Sequence, residues 1–143
     1  MSIDLGSTQL SLPVFLAPLA GITDLPFRNL VQSFGAGLVV SEMIASQEMV
    51  EAKYSVRDKA ELGLGVENTS VQIAGRDPYW MSEAAKLIAD QGARVIDINM
   101  GCPAKKVVNG YSGSALMRDL DHALSLIDAV VKAVDVPVTL KTR

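Results

Sequence analysis

The sequence predicts an α/β fold in which a parallel sheet is covered by helices, and three observations support this prediction. Short runs rich in valine, isoleucine and leucine alternate along the chain with amphipathic helical stretches. Successive runs are spaced by roughly 30 residues, which is the size of a βαβ unit. The runs are apolar almost throughout, as expected of parallel strands buried on both faces. This alternation predicts a parallel sheet with covering helices.

Five of the apolar runs are predicted to be strands of this sheet. In chain order they are Val14–Ala17, Leu38–Ser41, Ser70–Ala74, Val95–Asn99 and Val136–Lys141. The residues before Leu12, with the sequence STQLSL, predict a small hairpin beneath the sheet.

Four helices are predicted between the strands. Asp77 is a typical N-cap, and Pro78 occupies the first helical position, where its missing N–H is not needed. Gly92 supplies the stop of the same helix. In chain order the helices cover Asp24–Phe34, Ser46–Lys59, Asp77–Gln91 and a stretch capped by Asp119 or Asp121, in which Leu120, Leu124, Ile127 and Val131 recur at helical spacing.

Five strands and four helices make just over half of a (β/α)₈ barrel, the TIM-barrel fold, which needs at least about 200 residues. The chain has 143 residues and ends on a predicted strand, at Leu140–Arg143. We therefore expect a TIM barrel truncated to about five strands and four helices. A complete five-stranded doubly wound domain is the alternative.

Composition narrows the class of protein. Apolar residues make up 49% of the chain and charged residues 20%, which is typical of a soluble globular protein. No apolar run approaches the roughly 18–20 residues of a membrane span, and the N-terminus does not resemble a signal peptide. The single cysteine, Cys102, excludes an intrachain disulfide, so a reducing cytoplasm is the expected location.

Charge and motif content exclude several kinds of site. The formal net charge is −3, whereas domains that bind nucleic acid through their own field are usually basic. With one histidine and one cysteine, the sequence predicts no metal site. No Walker loop or GxGxxG motif follows a strand. A catalytic domain whose partner segment holds the nucleic acid remains compatible with the charge.

The unusual residues of the chain fall at the carboxyl ends of the predicted strands, where α/β folds bind ligands. The small residues of Ala17–Gly21 would let a flat ligand approach the main chain, or they form a tight turn. Gln72 lies inside an apolar strand and needs partners, because an unpaired buried amide costs about 1–3 kcal/mol. A flavin ring or a neighbouring strand would satisfy it.

Cys102 is the strongest candidate for chemistry. Asp97 and Asn99 precede it on a strand, and Gly101 and Pro103 flank it on the following turn. A lone cysteine is more often a small buried hydrophobic residue, but this position places the thiol at the predicted active face.

Three further features carry weaker signals. The segment from Ala104 to Ser114 is predicted to be a long loop with a basic start, serving as a mobile lid, a substrate contact or an ordinary solvated loop. Lys141 indicates an anionic or carbonyl ligand, unless it points into water. His122 is predicted to be solvated and not catalytic.

Together these motifs resemble the tRNA-dihydrouridine synthase family, and its bacterial B branch most of all. DINMGCP with LKTR downstream is the specific combination. Leu19 departs from the family, which commonly has methionine there. The matching stretches are APLAGITDLPFR (17–28), GAGLVVSEM (35–43), VQIAGRDP (71–78), DINMGCPAKKV (97–107), GSALM (113–117) and DVPVTLKTR (135–143).

The resemblance implies a reductase that saturates the C5–C6 bond of a uridine in folded tRNA, using FMN that is recharged by NADPH. Cys102 would be the general acid, and Asn99 and Arg143 would contact the target uracil. The residues implied to contact the flavin are Pro18, Leu19, Ala20, Gln72 and Lys141.

The resemblance also implies that residues 1–143 are the N-terminal portion of the catalytic barrel. The remaining strands, which hold the FMN phosphate, and the C-terminal helical domain, which holds tRNA, would be absent. Two alternatives stay open: a related FMN barrel acting on a free pyrimidine, similar to dihydroorotate dehydrogenase, and a non-catalytic half-barrel. A half-barrel would self-associate through its exposed strand edges.

Overall fold

The computed structural model describes residues 2–52, 63 and 68–143. Its strands are β1 (Ile3–Leu5), β2 (Thr8–Leu10), β3 (Phe15–Leu16), β4 (Leu38–Val40), β5 (Ile44–Ala45), β6 (Thr69–Ala74), β7 (Val95–Asn99) and β8 (Val138–Lys141). The α-helices are α1 (Leu25–Ser33), α2 (Ser46–Glu51), α3 (Pro78–Asp90), α4 (Lys105–Asn109) and α5 (Leu120–Ala133), and a 3₁₀ helix covers Gly113–Arg118.

The main sheet is parallel, in the order β3-β4-β6-β7-β8, with β5 paired to the carboxyl half of β6. Apart from the short β5, the described strands of the main sheet that follow one another in the chain are thus neighbours in the sheet. This is the arrangement of successive βα units in a (β/α)₈ barrel, and the predicted fold class is confirmed.

All five predicted strands are present, and the hairpin predicted before Leu12 is the antiparallel pair β1–β2. The short strand β5 was not predicted. It lies in line with β4 because both pair with β6, β4 through Ser70 and β5 through Ile73.

The two faces of the sheet are packed differently. The outer face packs on α3 and α5 through Val71, Ile73, Ile96 and Ile98 in one core with Met81, Ala84, Ala85, Ile88, Leu126 and Val130. A second, smaller core joins Leu10 of the hairpin to Leu38 and Val95, the first residues of β4 and β7. The hairpin therefore covers the amino-terminal end of the inner face.

Aspartates cap the three longest of the described helices, and the sequence predicted the caps of α3 and α5. The Asp24 carboxylate accepts from Phe27 N, and that of Asp77 accepts from Tyr79 N and Trp80 N. Of the two caps proposed for α5, Asp119 is the one used, since it accepts from His122 N at 3.0 Å. Such a cap stabilises a helix by about 1 kcal/mol.

The prediction of which residues form the buried face of α5 is wrong. The side chains of Ala123, Leu126 and Val130 are buried against the sheet, whereas Leu120 and Leu124 are 64% and 63% exposed. An amphipathic helix on a sheet has one apolar stripe toward the strands and a second toward its flanking helices. Within the described residues, nothing covers the second stripe of α5.

Two other expectations need correction, and one lies outside the described residues. The segment predicted as a long loop from Ala104 to Ser114 contains α4 and the start of the 3₁₀ helix. His122 is not fully solvated but half-buried, with its ring centroid 6.0 Å from that of Tyr111. Of the helix predicted over Ser46–Lys59, α2 covers the first six residues, and residues 53–59 lie outside the described part.

Candidate functional site

The carboxyl-terminal half of the inner face carries polar side chains on three adjacent strands. Gln72 is in register with Asp97, and Asp97 with Thr139. Asn99, two residues after Asp97, is in register with Lys141. Since residues in register share a face and successive side chains alternate, all five residues belong to the inner face.

A continuous hydrogen-bond chain links these strands. Thr139 Oγ1 donates to Asp97 Oδ1 at 2.6 Å, and Gln72 Nε2 donates to Asp97 Oδ2 at 2.5 Å. Asn99 Nδ2 donates to Gln72 Oε1 at 2.8 Å. The sequence left two partners open for Gln72, a flavin ring and a neighbouring strand, and the structure shows the neighbouring strand.

Asn99 extends this chain to the turn that carries Cys102. Its Oδ1 accepts from the backbone N–H groups of Gly101 and Cys102, at 3.2 and 3.0 Å. The thiol of Cys102 is free and half-buried. The turn thus places Cys102, the single cysteine of the sequence, at the end of the hydrogen-bond chain.

Gly113 holds the other side of the turn. Its φ of +62° favours glycine, and a Cβ there would lie 2.6 Å from the carbonyl oxygen of Cys102. The same carbonyl accepts from Ser114 N at 3.0 Å. The start of the 3₁₀ helix therefore packs directly against the backbone of Cys102.

The end of β8 lies beside the same turn. A Cβ on Gly101 would lie 3.1 Å from the carbonyl carbon of Thr142, so glycine allows the two backbones to approach. Lys141 O accepts from Met100 N at 2.9 Å. The side chains of Lys141 and Arg143 are exposed, and Lys141 Nζ donates to Thr142 O at 2.8 Å.

The loop that contains Pro18, Leu19 and Ala20 follows β3, at the other edge of the sheet. Leu19 and Ala20 are exposed, and Pro18 is half-buried. The loop is closed by Thr23, whose hydroxyl lies 3.1 Å from both the N and the O of Leu19. Since β4 separates β3 from β6, the loop shares the carboxyl end of the sheet with Gln72 but does not adjoin it.

Arg28 supports this loop from α1. Its side chain is buried, and Nη1 donates to Thr23 O at 2.5 Å. Burial lowers the pKa of the guanidinium from its ordinary value, and the charges of Asp24 and Glu42 partly oppose that shift. The loop is therefore anchored by a buried cation.

A cavity of about 630 Å³ lies between α2, the β6–α3 loop and α4. Ala74, which ends β6, is part of its lining, as is Val107, whose side chain faces Gly113. Arg76, Trp80 and Lys106 also line it. The cavity is large enough for a nucleoside.

The structure thus brings Gln72, Asn99, Cys102, Lys141 and the backbone of Arg143 together, and it leaves Pro18–Ala20 at the far edge. The sequence assigned no role to Asp97 or Thr139. A sequence signal for both was available, because Gln72, Asp97 and Thr139 are each a polar residue within an otherwise apolar strand. Arg76 and Trp80 were also missed, because they meet Lys106 only in the folded chain.

The described residues show neither a metal cluster nor a membrane-spanning helix. They hold no group of three or more His, Cys, Asp or Glu side chains placed to bind a metal ion. None of the described helices is long and apolar enough to span a membrane.

The model of the dihydrouridine synthase (Dus) family matches residues 15–143, which is most of the chain.

Individual relatives carry related names. A probable tRNA-dihydrouridine synthase of Rhodobacter capsulatus is 67% identical over 100% of this chain and 44% of its own length. One of Rhizobium leguminosarum bv. phaseoli is 64% identical over 91% of this chain and 41% of its own. The tRNA-dihydrouridine synthase B of Proteus vulgaris is 50% identical over 97% of this chain and 43% of its own. The chain spans less than half the length of these relatives.

Among solved structures, histamine dehydrogenase from Rhizobium sp. 4-9 is similar in fold, with a TM-score of 0.70 and 12% identity. The similarity covers 99% of this chain and 33% of that protein. It supports the barrel architecture.

Proposed function

The chain belongs to the dihydrouridine synthase family, and we propose that the protein to which it contributes reduces the C5–C6 bond of a uridine in tRNA to dihydrouridine. FMN is the proposed cofactor and NADPH the reductant. The observation that carries the proposal is the position of Cys102 at the end of the hydrogen-bond chain on the inner face.

The inner face fits a flavin ring by its chemistry. The side-chain amides of Gln72 and Asn99 each have a second N–H hydrogen that makes no hydrogen bond to any described residue. Lys141 adds an ammonium group in register with Asn99. The donors of Gln72 and Lys141 suit the carbonyl oxygens and ring nitrogens of an isoalloxazine, and that of Asn99 suits a carbonyl oxygen of the uracil. Pro18, Leu19 and Ala20 would offer backbone and small side chains at the far edge.

Reduced FMN, when bound, supplies the hydride that is added to C6 of the uracil. Cys102 then donates its thiol proton to C5 as the general acid. The thiolate left on Cys102 regains a proton from water. Asn99 and Arg143 hold the uracil so that C5 lies within reach of the thiol.

The target uridine has to leave its stack to reach this face, which costs a few kcal/mol. The chain has a net charge of −3 and spans 44% of the R. capsulatus relative. We therefore assign most of the tRNA contacts, and the contacts with the FMN phosphate, to the part of the relatives' sequences that this chain does not span. For residues 1–143 without the rest of the barrel, the proposal is self-association through β3 and β8, the edges of the sheet in the described residues.

The direct test uses a completed chain, in which residues 1–143 replace the aligned part of the R. capsulatus relative. The completed chain is incubated with FMN, NADPH and tRNA from a strain that lacks dihydrouridine, and the nucleosides are analysed by mass spectrometry. We expect dihydrouridine to form, and to be lost with Cys102→Ala. No dihydrouridine, together with reduction of a free pyrimidine, would contradict the proposal.

A further inference from the structure

We infer that Asp97 is a positioning residue, whose carboxylate, together with the backbone N–H groups of Gly101 and Cys102, fixes the direction of the hydrogen bonds through Gln72 and Asn99. The consequence is that both amides keep N–H groups, rather than oxygens, free for the ligand. The step from a free N–H group to a flavin contact rests on the proposed function, whereas the direction of the chain does not.

One end of the chain is fixed by the backbone. The N–H groups of Gly101 and Cys102 are donors, so the atom of Asn99 that lies 3.2 and 3.0 Å from them must be its oxygen. Asn99 Nδ2 is then the atom facing Gln72, and it needs an acceptor. The structure meets this need with Gln72 Oε1 at 2.8 Å.

The other end is fixed by Asp97. With its oxygen facing Asn99, Gln72 turns Nε2 toward Asp97 Oδ2, at 2.5 Å. An ionised carboxylate can only accept hydrogen bonds, so Asp97 fits this orientation of Gln72 and opposes the reverse. Its second oxygen accepts from Thr139 Oγ1, which holds the carboxylate in place.

Burial makes this direction matter. Gln72, Asp97 and Asn99 are only 1%, 6% and 7% exposed. Water therefore competes poorly for their polar atoms, and hydrogen bonds to a charged group are about twice as strong as neutral ones. Asp97 has no free donor of its own to offer, so it acts on a ligand through Gln72.

A double-mutant cycle on FMN affinity in the completed chain tests this inference. Asp97→Leu and Gln72→Met remove the two partners one at a time, and the double variant replaces both with apolar groups of similar volume. We expect Asp97→Leu to weaken FMN binding roughly tenfold, because Gln72 loses its acceptor. Asp97→Asn is the conservative control. Its amide oxygen can still accept from Gln72, so we expect affinity within about threefold of the unsubstituted chain.

The decisive comparison is between Gln72→Met and the double variant, because it measures what Asp97→Leu costs once Gln72 is absent. If Asp97 acts through Gln72, Asp97→Leu costs no further affinity once Gln72 is replaced. Additive losses would show that Asp97 acts independently and would overturn the inference. This comparison decides the question even where Asp97→Leu alone does not fold.

A second readout does not depend on FMN. The rate at which iodoacetamide alkylates Cys102 is measured by mass spectrometry of the peptide that contains it. We expect alkylation to be faster in Asp97→Leu and unchanged in Asp97→Asn, because the first loosens Asn99 and the turn it holds. A surface control, Asp128→Ala, breaks the exposed bond to Lys132 and leaves the rate unchanged. Equal rates in Asp97→Leu and the unsubstituted chain would overturn the inference.

The failures of the two proposals can be told apart. If the unsubstituted completed chain neither binds FMN nor forms dihydrouridine, the proposed function fails, and the alkylation rates still decide the role of Asp97. If it does both and the cycle is additive, only the positioning role fails.

Discussion

The two faces of β6 and β7 are equally buried but differ in chemistry. On the outer face Val71, Ile73, Ile96 and Ile98 are fully buried against helices, whereas Gln72 and Asp97 on the inner face are joined by hydrogen bonds. Apolar packing is not directional, so the outer face fixes where the strands lie. Hydrogen bonds have direction, so the inner face fixes which atoms a ligand meets. Changes on the outer face should therefore alter stability, and changes on the inner face should alter the site.

The largest effect is expected at Cys102, at the end of the inner face. In the completed chain, Cys102→Ala removes the proton donor, and general acid catalysis typically contributes about 10²–10⁴-fold to a rate. We expect tRNA reduction to fall by that order with FMN affinity unchanged, as measured by dihydrouridine formation and flavin fluorescence. Turnover at the unsubstituted rate would remove Cys102 from the mechanism.

The matched change on the outer face is Ile96→Ala. Ile96 is fully buried in the core formed with α3 and α5, and such a truncation costs about 2–5 kcal/mol of the free energy of unfolding. Denaturant unfolding measures the loss, and we expect the folded fraction to bind FMN with unchanged affinity. A selective loss of FMN affinity with full stability would break the distinction between the faces.

The outer face was predictable from the sequence, and the inner face was predictable only in part. The strands and the helix starts follow from local signals, such as Asp77 before Pro78. The hydrogen-bond chain depends on register, because Gln72 and Asp97 are 25 residues apart and Asp97 and Thr139 are 42 apart. No local pattern specifies that register.

The wrong predictions have related causes. Helix α4 has five residues and no side-chain cap, so the sequence around it resembled a loop. The exposed stripe of α5 at Leu120 and Leu124 has the same spacing as its buried stripe, and spacing alone does not show which stripe faces the sheet.

A smaller effect is expected where the inner face is shaped by backbone contact. Gly113→Ala forces a side chain against the carbonyl of Cys102 at a positive φ, and we expect a loss of about 1–3 kcal/mol in stability. The Cys102 turn should shift, which peptide-level alkylation would detect. Gly110→Ala is the control, since its φ is −80° and its nearest contact is 3.3 Å away. Equal effects of the two substitutions would contradict this role of Gly113.

The smallest effect is expected at Thr139, the outermost member of the hydrogen-bond chain. Thr139→Val removes one hydrogen bond to Asp97 and leaves the bond from Gln72, so we expect a stability loss of about 0.5–1.5 kcal/mol. FMN affinity should stay close to that of the unsubstituted chain. A loss as large as that of Asp97→Leu would place Thr139 itself in the site.

The central claim is that the inner face at the carboxyl ends of the strands binds the flavin. Lys141 and Leu140 offer the most direct test, because they are adjacent on β8, are both exposed, and lie on opposite faces. FMN is titrated into the completed chain and into its Lys141→Ala and Leu140→Ala variants while flavin fluorescence is followed. We predict saturable binding that Lys141→Ala weakens roughly tenfold, as for a hydrogen bond from a charged donor, and that Leu140→Ala leaves unchanged. Equal affinity in all three proteins, or a loss confined to Leu140→Ala, would contradict the claim.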